Sequence, residues 1–238
     1  MKITVLGKYG PFPPKGGATS GYLLSSDNAN VLIDAGSGTA SRLLNLIDAK
    51  DLSFIILSHL HFDHISDLGV LSYALDFSGR TDKVKVYLPE SELVQYGLLA
   101  SIKAFELVPI KENVVYNEKG LQFTFYKMTH PVTSYGVKIT NGGKTFAYTG
   151  DTTYNDNVYN LIQGASLVVA DGAFLEKDFS DAKPHMSVKQ AANLANFIDG
   201  TVVVSHIGYK YKDEDVLLEI KTVAKTAVVA VEGETYSV

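Results

Sequence analysis

The sequence predicts a layered α/β protein with two β-sheets flanked by helices, and three observations point that way. Short β-type runs alternate with helical patterns along the whole chain. Several of those runs are almost continuously apolar. No Pro/Ser-rich linker, repeat or charge block divides the 238 residues. A strand apolar at every position is expected where both faces of its sheet are covered, whereas a half-solvated strand alternates. Strands mixed with hairpins and flanked by helices at both ends then stack in layers, with residues 1–238 expected to form one domain.

The first strand is predicted at Ile3–Leu6, where the apolar run is too short for a secretory signal. Strands follow at Tyr22–Leu24 and Val31–Asp34, then a helix over Thr39–Ile47, a strand at Phe54–Leu57 and a helix over Ile65–Phe77. Val84–Leu88, Phe105–Pro109 and Leu121–Met128 read as further strands. Asn141-Gly142-Gly143 joins the alternating runs Tyr135–Ile139 and Thr145–Tyr148. That is a strong hairpin signal, because glycine reaches the positive φ that tight turns demand. In the last third, helices over Asp156–Gln163, Ser187–Phe197 and Asp213–Ala224 are interleaved with strands Leu167–Ala170, Val202–Val204 and Ala227–Ala230. Ser187 and Gln190 have capping-box spacing, Asp213 is placed to cap the last helix, and Gly200 to stop the one before it.

With 46% hydrophobic and 20% charged residues, the composition is that of a globular protein with a full core. The net charge of −5, from 21 basic and 26 acidic residues, argues against a general binder of nucleic acid or anionic membranes. It leaves room for a small, locally positive pocket. No apolar stretch approaches the ~20 residues of a membrane span, so a soluble cytoplasmic protein is expected. The chain has no cysteine. Disulfides, thiolate catalysis, iron–sulfur clusters and Cys-based zinc sites are thereby excluded, and any metal must sit on His, Asp or Glu.

The chemistry concentrates in Ser58-His59-Leu60-His61-Phe62-Asp63-His64, between the buried strand Phe54–Leu57 and the helix expected from Ile65. Three of the chain's six histidines and one carboxylate fall within these few residues. Alternation in an extended stretch sends His59 and His61 to one side, and the turn into the helix lets Asp63 and His64 face a neighbouring point. Two ligands can then serve one cation and two a second, close by. Histidines on loops are often merely solvated, but so dense a group after a hydrophobic strand reads as a metal site.

His59-Leu60-His61-Phe62-Asp63-His64 has the HxHxDH pattern of the metallo-β-lactamase superfamily, and the chain resembles that superfamily over essentially residues 1–230. Asp34-Ala35-Gly36 resembles its early Asp-Gly motif. His130 matches its third histidine, Asp151 in Thr149-Gly150-Asp151-Thr152 its bridging aspartate, and His206 its last histidine. Each follows a predicted strand. The resemblance implies the four-layer αββα sandwich, with two mixed sheets flanked by helices. It assigns His59, His61 and His130 to one metal and Asp63, His64 and His206 to a second, with Asp151 bridging. Two Zn2+ ions suit this cysteine-free shell, with Mn2+ or Fe also accommodated. The flavodiiron branch carries Glu where His61 stands, so His61 favours hydrolytic zinc over oxygen chemistry. The activity implied is attack by a metal-bridging hydroxide on an ester-like bond.

Within the superfamily the chain looks nearest to ribonuclease Z and small phosphodiesterases. Lys15-Gly16-Gly17-Ala18-Thr19-Ser20-Gly21 resembles that branch's N-terminal loop, and Leu68-Gly69-Val70-Leu71-Ser72 its Pro-Gly-Leu-Leu segment. Asp171-Gly172-Ala173-Phe174 and His185-Met186-Ser187 stand where ribonuclease Z has Glu-Ala-Thr-Phe and His-Ser-Thr. Carried over, Asp171 orients His185, and His185 contacts the scissile phosphate or acts as general acid, so Asp63, Asp171 and His185 form the expected catalytic set. Asp in place of Glu shortens the reach, and the other reading of His185 is a simple cap contact before Ser187.

Only the 20 residues 131–150 separate His130 from Asp151. Ribonuclease Z inserts a long arm there to grip transfer RNA. Its absence, with the acidic net charge, argues against tRNA 3′ processing and for a small phosphodiester substrate of the cyclic nucleotide or cyclic ribose phosphate type. Lys15, Arg80, Lys183 and Lys210 are candidate phosphate contacts. Tyr209 and Tyr211 could stack on a base or simply pack. The rival activity is a glyoxalase II-like thioesterase or a lactonase using the same metals. A non-catalytic binding scaffold is the rival of another class, and such descendants usually lose ligands. The ribonuclease Z resemblance also implies a homodimer.

Overall fold

Sixteen strands build two seven-stranded sheets and a two-stranded ribbon in a computed structural model that describes residues 1–238. The first sheet runs β16 (Thr235–Ser237), β1 (Lys2–Gly7), β3 (Gly21–Ser25), β4 (Asn30–Ala35), β5 (Phe54–Ile56), β6 (Val84–Leu88) and β7 (Phe105–Pro109). The second runs β15 (Ala227–Val229), β13 (Thr201–Ser205), β12 (Leu167–Asp171), β11 (Lys144–Tyr148), β10 (Ser134–Asn141), β9 (Leu121–Met128) and β8 (Val115–Glu118). Both are mixed: β4 to β7 are parallel beside antiparallel β1 and β3, and β11, β12, β13 and β15 are parallel beside the antiparallel meander β8 to β10. The ribbon pairs β2 (Tyr9–Gly10) with β14 (Ile207–Gly208).

Alternation along the strands explains the apolar runs. In β4, Val31 and Ile33 face the second sheet, where they meet Phe123, Phe125, Val169 and Val203. Leu32, between them, joins Ile55 and Val86 under α1 (Thr39–Leu44) and α3 (Leu68–Phe77), packing on Leu43, Leu68 and Leu71. Val168, Val202 and Val204 turn outward in the same way. They meet Leu161 of α5 (Asp156–Ile162), Ala191 of α6 (Val188–Asn193), and Val216 and Ile220 of α7 (Asp213–Lys221). Three separate apolar layers therefore hold four structural layers in the order helix, sheet, sheet, helix, as expected from the sequence.

The glycine hairpin forms as the residues dictate. Gly142 and Gly143 have φ of 56° and 81°, and Asn141 pairs with Lys144 across the turn. The capping box at Ser187 and Gln190 also forms, with both reciprocal bonds present.

Other boundaries differ. The helix expected from Ile65 starts earlier, as α2 (Phe62–Ile65), and breaks before α3 because Asp67 is drawn sideways. The Asp67 amide donates to the Ala35 carbonyl, and its carboxylate accepts from the Ala40 amide at 2.8 Å. Asp213 does not cap α7: Lys212 holds that position, and the Asp213 carboxylate is taken by the buried Lys8 ammonium at 2.6 Å. Gly200 does not end α6 either. Its helix tightens into a 3-10 turn, Leu194–Phe197, and ends there, while Gly200 lies flat on Ser166, whose carbonyl oxygen an added Cβ would meet at 2.3 Å. The short helix α4 (Val94–Ala100), the ribbon strands and edge strands β8 and β16 carried too little apolar periodicity to be expected. No helix is long and apolar enough to cross a membrane.

Candidate metal centre

The seven residues that the superfamily pattern marks for metals lie beyond the C-terminal ends of strands, on one edge shared by the two sheets. His59, His61, Asp63 and His64 follow β5, His130 follows β9, Asp151 follows β11, and His206 follows β13. His61 takes the extended position before α2, so Asp63 and His64 occupy that helix's first turn.

Two groups of side chains converge. In one, His59 Nε2 and His61 Nδ1 lie 3.0 Å apart and His130 Nε2 and His61 Nδ1 3.2 Å apart. Asp151 Oδ2 is 3.6 Å from His59 and 4.0 Å from His130. In the other, Asp63 Oδ2 is 3.3 Å from His206 Nε2 and 3.6 Å from His64 Nε2, and the Asp151 oxygens lie 3.3 Å from each histidine. Ligands about 2.1 Å from a tetrahedral zinc would be ~3.4 Å from one another, close to these spacings. The buried His64 Nε2 and Asp151 Oδ1 have no hydrogen-bond partner. Orphaned polar atoms facing one point are costly unless a cation satisfies them, so the residues fit divalent metals.

The outer nitrogens of three of these histidines are held from behind, an arrangement that aims the inner ones. His64 Nδ1 bonds Asp34 at 2.7 Å, His59 Nδ1 lies 3.0 Å from Ser58 Oγ, and His130 Nδ1 donates to the Pro184 carbonyl at 3.1 Å. Asp34 is fully buried and also accepts from the Ser58 amide, the Ser58 hydroxyl and Tyr148 OH. It anchors the loop bearing His59 to the second sheet. Only four non-glycine residues have positive φ, and Asp34 (54°) and His206 (55°) are two of them. Such left-handed backbone persists where surrounding contacts over-determine it, often at functional sites. Ribbon strand β2 closes over His206: a Cβ on Gly10 would sit 2.0 Å from its ring. The part played by Gly10 has no sequence signal, since it arises from a contact across nearly the whole chain.

Burial lowers the pKa of His59, His61 and His130, keeping these rings in the neutral form that binds metals. Burial opposes a charge on His64, yet the Asp151 and Asp34 carboxylates overcome it and hold that ring well above the usual histidine value. Burial also disfavours charge on Asp151, but the facing His206, His64 and His59 rings hold its carboxyl well below the usual range.

Beside the two groups, His185 Nδ1 bonds Asp171 Oδ2 at 2.9 Å, and its ring stacks on His206 with centroids 4.9 Å apart. Asp171 reaches this position because β12 extends to include it, and its Oδ2 also accepts from the Thr152 amide. Its other oxygen is buried without a partner, 3.7 Å from the equally unpartnered His206 Nδ1. One short carboxylate thus stands behind both His185 and His206. Burial presses the His185 ring down, but the charge and hydrogen bond of Asp171, with Asp151 beyond, raise it to about 9.

The candidate phosphate contacts separate. Arg80 is removed to the far end of the first sheet, where its guanidinium bonds the Leu52 carbonyl ahead of β5. It lines a polar cleft there of about 390 Å³ with Lys50, Lys83 and Lys85. Lys210 pairs with Asp178 at 3.0 Å. Lys183 has no carboxylate partner and lies over the Phe174 ring, 4.2 Å from its centroid, with Phe174 6.0 Å from His185. Lys15 is exposed in the loop after Phe12. Tyr211 packs inward and bonds Asp178, while Tyr209 stays half exposed.

This fold corresponds to a known class. Residues 29–207 match the family described as a beta-lactamase superfamily domain, and the chain belongs to that superfamily. It is similar to the Bacillus subtilis protein named probable metallo-hydrolase YhfI, at 32% identity over 237 residues covering 94% of this chain and 93% of the relative. The crystal structure of YhfI, called there a metallo-beta-lactamase fold protein, superimposes with a TM-score of 0.92 at 30% identity, covering 99% of both chains. A ribonuclease Z of Sulfolobus acidocaldarius is 25% identical over 271 residues, covering 92% of each. A diphosphatase from the PhnP family shares the fold, with a TM-score of 0.79 at 17% identity over 99% of this chain and 96% of the other.

Proposed function

We propose that residues 1–238 form one metal-dependent hydrolase domain that holds two divalent cations, zinc being the best match, and cleaves a small phosphodiester. His59, His61 and His130 would hold one cation and Asp63, His64 and His206 the other, with Asp151 shared. The observation that carries this reading is the position of Asp151, whose carboxylate faces both groups of histidines from within 4.0 Å. Bound there, divalent cations would supply an acidified water and neutralise charge developing on the attacked oxygen.

The chain's own residues do the rest. Its Nδ1 occupied by Asp171, His185 has Nε2 left to face a substrate. Raised to about 9, the ring carries its proton at neutral pH and can donate it to a departing alkoxide. Lys183, free of carboxylates and two rings from His206 through His185 and Phe174, is placed to meet a substrate's negative charge. A substrate bearing both a charge and a poor leaving oxygen uses these groups. A thioester, with its good leaving group, needs no such acid.

The small-substrate reading is supported by residues 131–150, which are spent on β10, β11 and their two-glycine turn, with no arm to grip an RNA. The test is a comparison of the zinc-loaded protein on bis(p-nitrophenyl) phosphate, a thioester and a lactone. The reading expects the phosphodiester to be preferred, and preferred thioester or lactone turnover would replace it with the rival activity. Asp171→Asn is expected to cost about 10- to 100-fold in kcat and to weaken zinc retention in dialysis, because it stands behind both His185 and His206. Full activity with unchanged metal content would remove Asp171 from the account.

A further inference from the structure

We propose that Phe12 and Tyr209 form a binding subsite for a flat aromatic ring of the substrate, a nucleobase joined through its sugar to the phosphoryl group cleaved at the metal centre. The proposal deepens the phosphodiesterase reading and rests on it for the identity of the group at the metals. Four observations place the subsite. The β2–β14 ribbon aligns Gly10 with Gly208, and Gly10 lies directly against the His206 ring. Phe12 is two residues beyond Gly10 and Tyr209 follows Gly208, so both rings emerge where the ribbon leaves this ligand.

The rings lie against each other at a tilt, with centroids 4.2 Å apart and planes inclined by 32°. Both remain half exposed, 50% and 49%, whereas Tyr211 is buried, so the pair keeps ring surface open to a ligand. Finally, Pro11, Pro13 and Pro14 bracket Phe12. Each proline fixes its own φ and restricts the residue before it, so the ring is presented with little entropy left to lose on binding.

Aromatic faces of this kind take bases without regard to sequence, since every base has a π-face. From the His206 ring, against which Gly10 lies, a row of rings runs on through His185 to Phe174, over which Lys183 sits. A ligand with a base at one end and phosphate at the other therefore matches the order of groups. A cyclic ribose phosphate without a base would leave the pair unused.

Adenosine 5′-monophosphate carries adenine at the sugar carbon where ribose 5-phosphate carries a hydroxyl, and calorimetric titration of each into the zinc-loaded protein reads the contribution of the base. The expected result is about tenfold or more tighter binding of the nucleotide. Phe12→Ala and Tyr209→Ala should each reduce that preference to about threefold or less, and Tyr209→Phe should keep it. Phe77→Ala, which changes an 88% exposed ring on α3, is the control expected to behave as wild type. Equal binding of the two ligands, binding of neither, or a preference that survives both alanine variants would overturn the subsite. Turnover of methyl p-nitrophenyl phosphate by the wild-type protein tests the phosphodiesterase reading by itself. The subsite can thus fail while that reading stands, and the reading can fail while nucleotide preference persists.

Discussion

Asp151→Asn is expected to abolish hydrolysis, with a fall of about a thousandfold or more in kcat. The carboxylate is buried and lies within 4.0 Å of nitrogens from His59, His64, His130 and His206, which come from both groups. An amide keeps the shape but loses the charge and one acceptor. Metal-borne stabilisation of a transition state is worth several kcal/mol, and each 1.36 kcal/mol is a factor of ten. Phosphodiester turnover and zinc content measured on the same preparations check this. Loss of both is expected. A variant that keeps full zinc and turns over within about tenfold of wild type would show that Asp151 is not shared between two cations.

Replacing His185 with alanine is expected to reduce kcat on a phosphodiester with a poor leaving group by about 10²- to 10⁴-fold, the usual worth of a positioned proton donor. An aryl ester with a good leaving group should suffer far less, because its oxygen departs without a proton. The pH profile carries the same signature. His185 has its folded-state pKa raised to about 9 from the ordinary histidine value of 6.5. The attraction to Asp171 is therefore complete below about pH 6.5 and is lost as pH rises through about 9. Activity that needs the protonated ring falls over that alkaline window. Cations bound at the centre would repel the imidazolium and move the limb downward, without reversing its sign. The alanine variant should lack the limb altogether. An unaltered alkaline limb, or equal losses on good and poor leaving groups, would exclude the general-acid role.

What could be read in advance follows from how local each signal is. The spacing of His59, His61, Asp63 and His64 is a short-range pattern, and the strand before it and the turn after it were visible as apolar run and break. His130, Asp151 and His206 each carry almost no information alone. Their grouping with the first four depends on strand order within two sheets, and the superfamily resemblance supplied that order. The structure brings all seven together at the strand ends, with Asp171 and His185 beside them. Asp34 was visible as a motif, but its four partners from Ser58, His64 and Tyr148 were not, because they join both sheets.

Misreadings have the same origin. Arg80 was a plausible phosphate contact as an isolated basic residue, until the fold carried it to the opposite end of the first sheet. Asp213 had a capping residue's identity, but Lys8 claims its carboxylate from a position 205 residues away. The break between α2 and α3 depends on Asp67 reaching Ala35 and Ala40, contacts that no helical periodicity encodes.

The central claim is that two cations share one carboxylate, and metal stoichiometry tests it most directly. Elemental analysis after zinc loading and exhaustive dialysis should find two equivalents per wild-type chain. His130→Ala and His206→Ala should each retain close to one, since each removes a ligand from a different group, while His185→Ala should retain two. One equivalent or fewer in the wild type, or two in both ligand variants, would contradict the account.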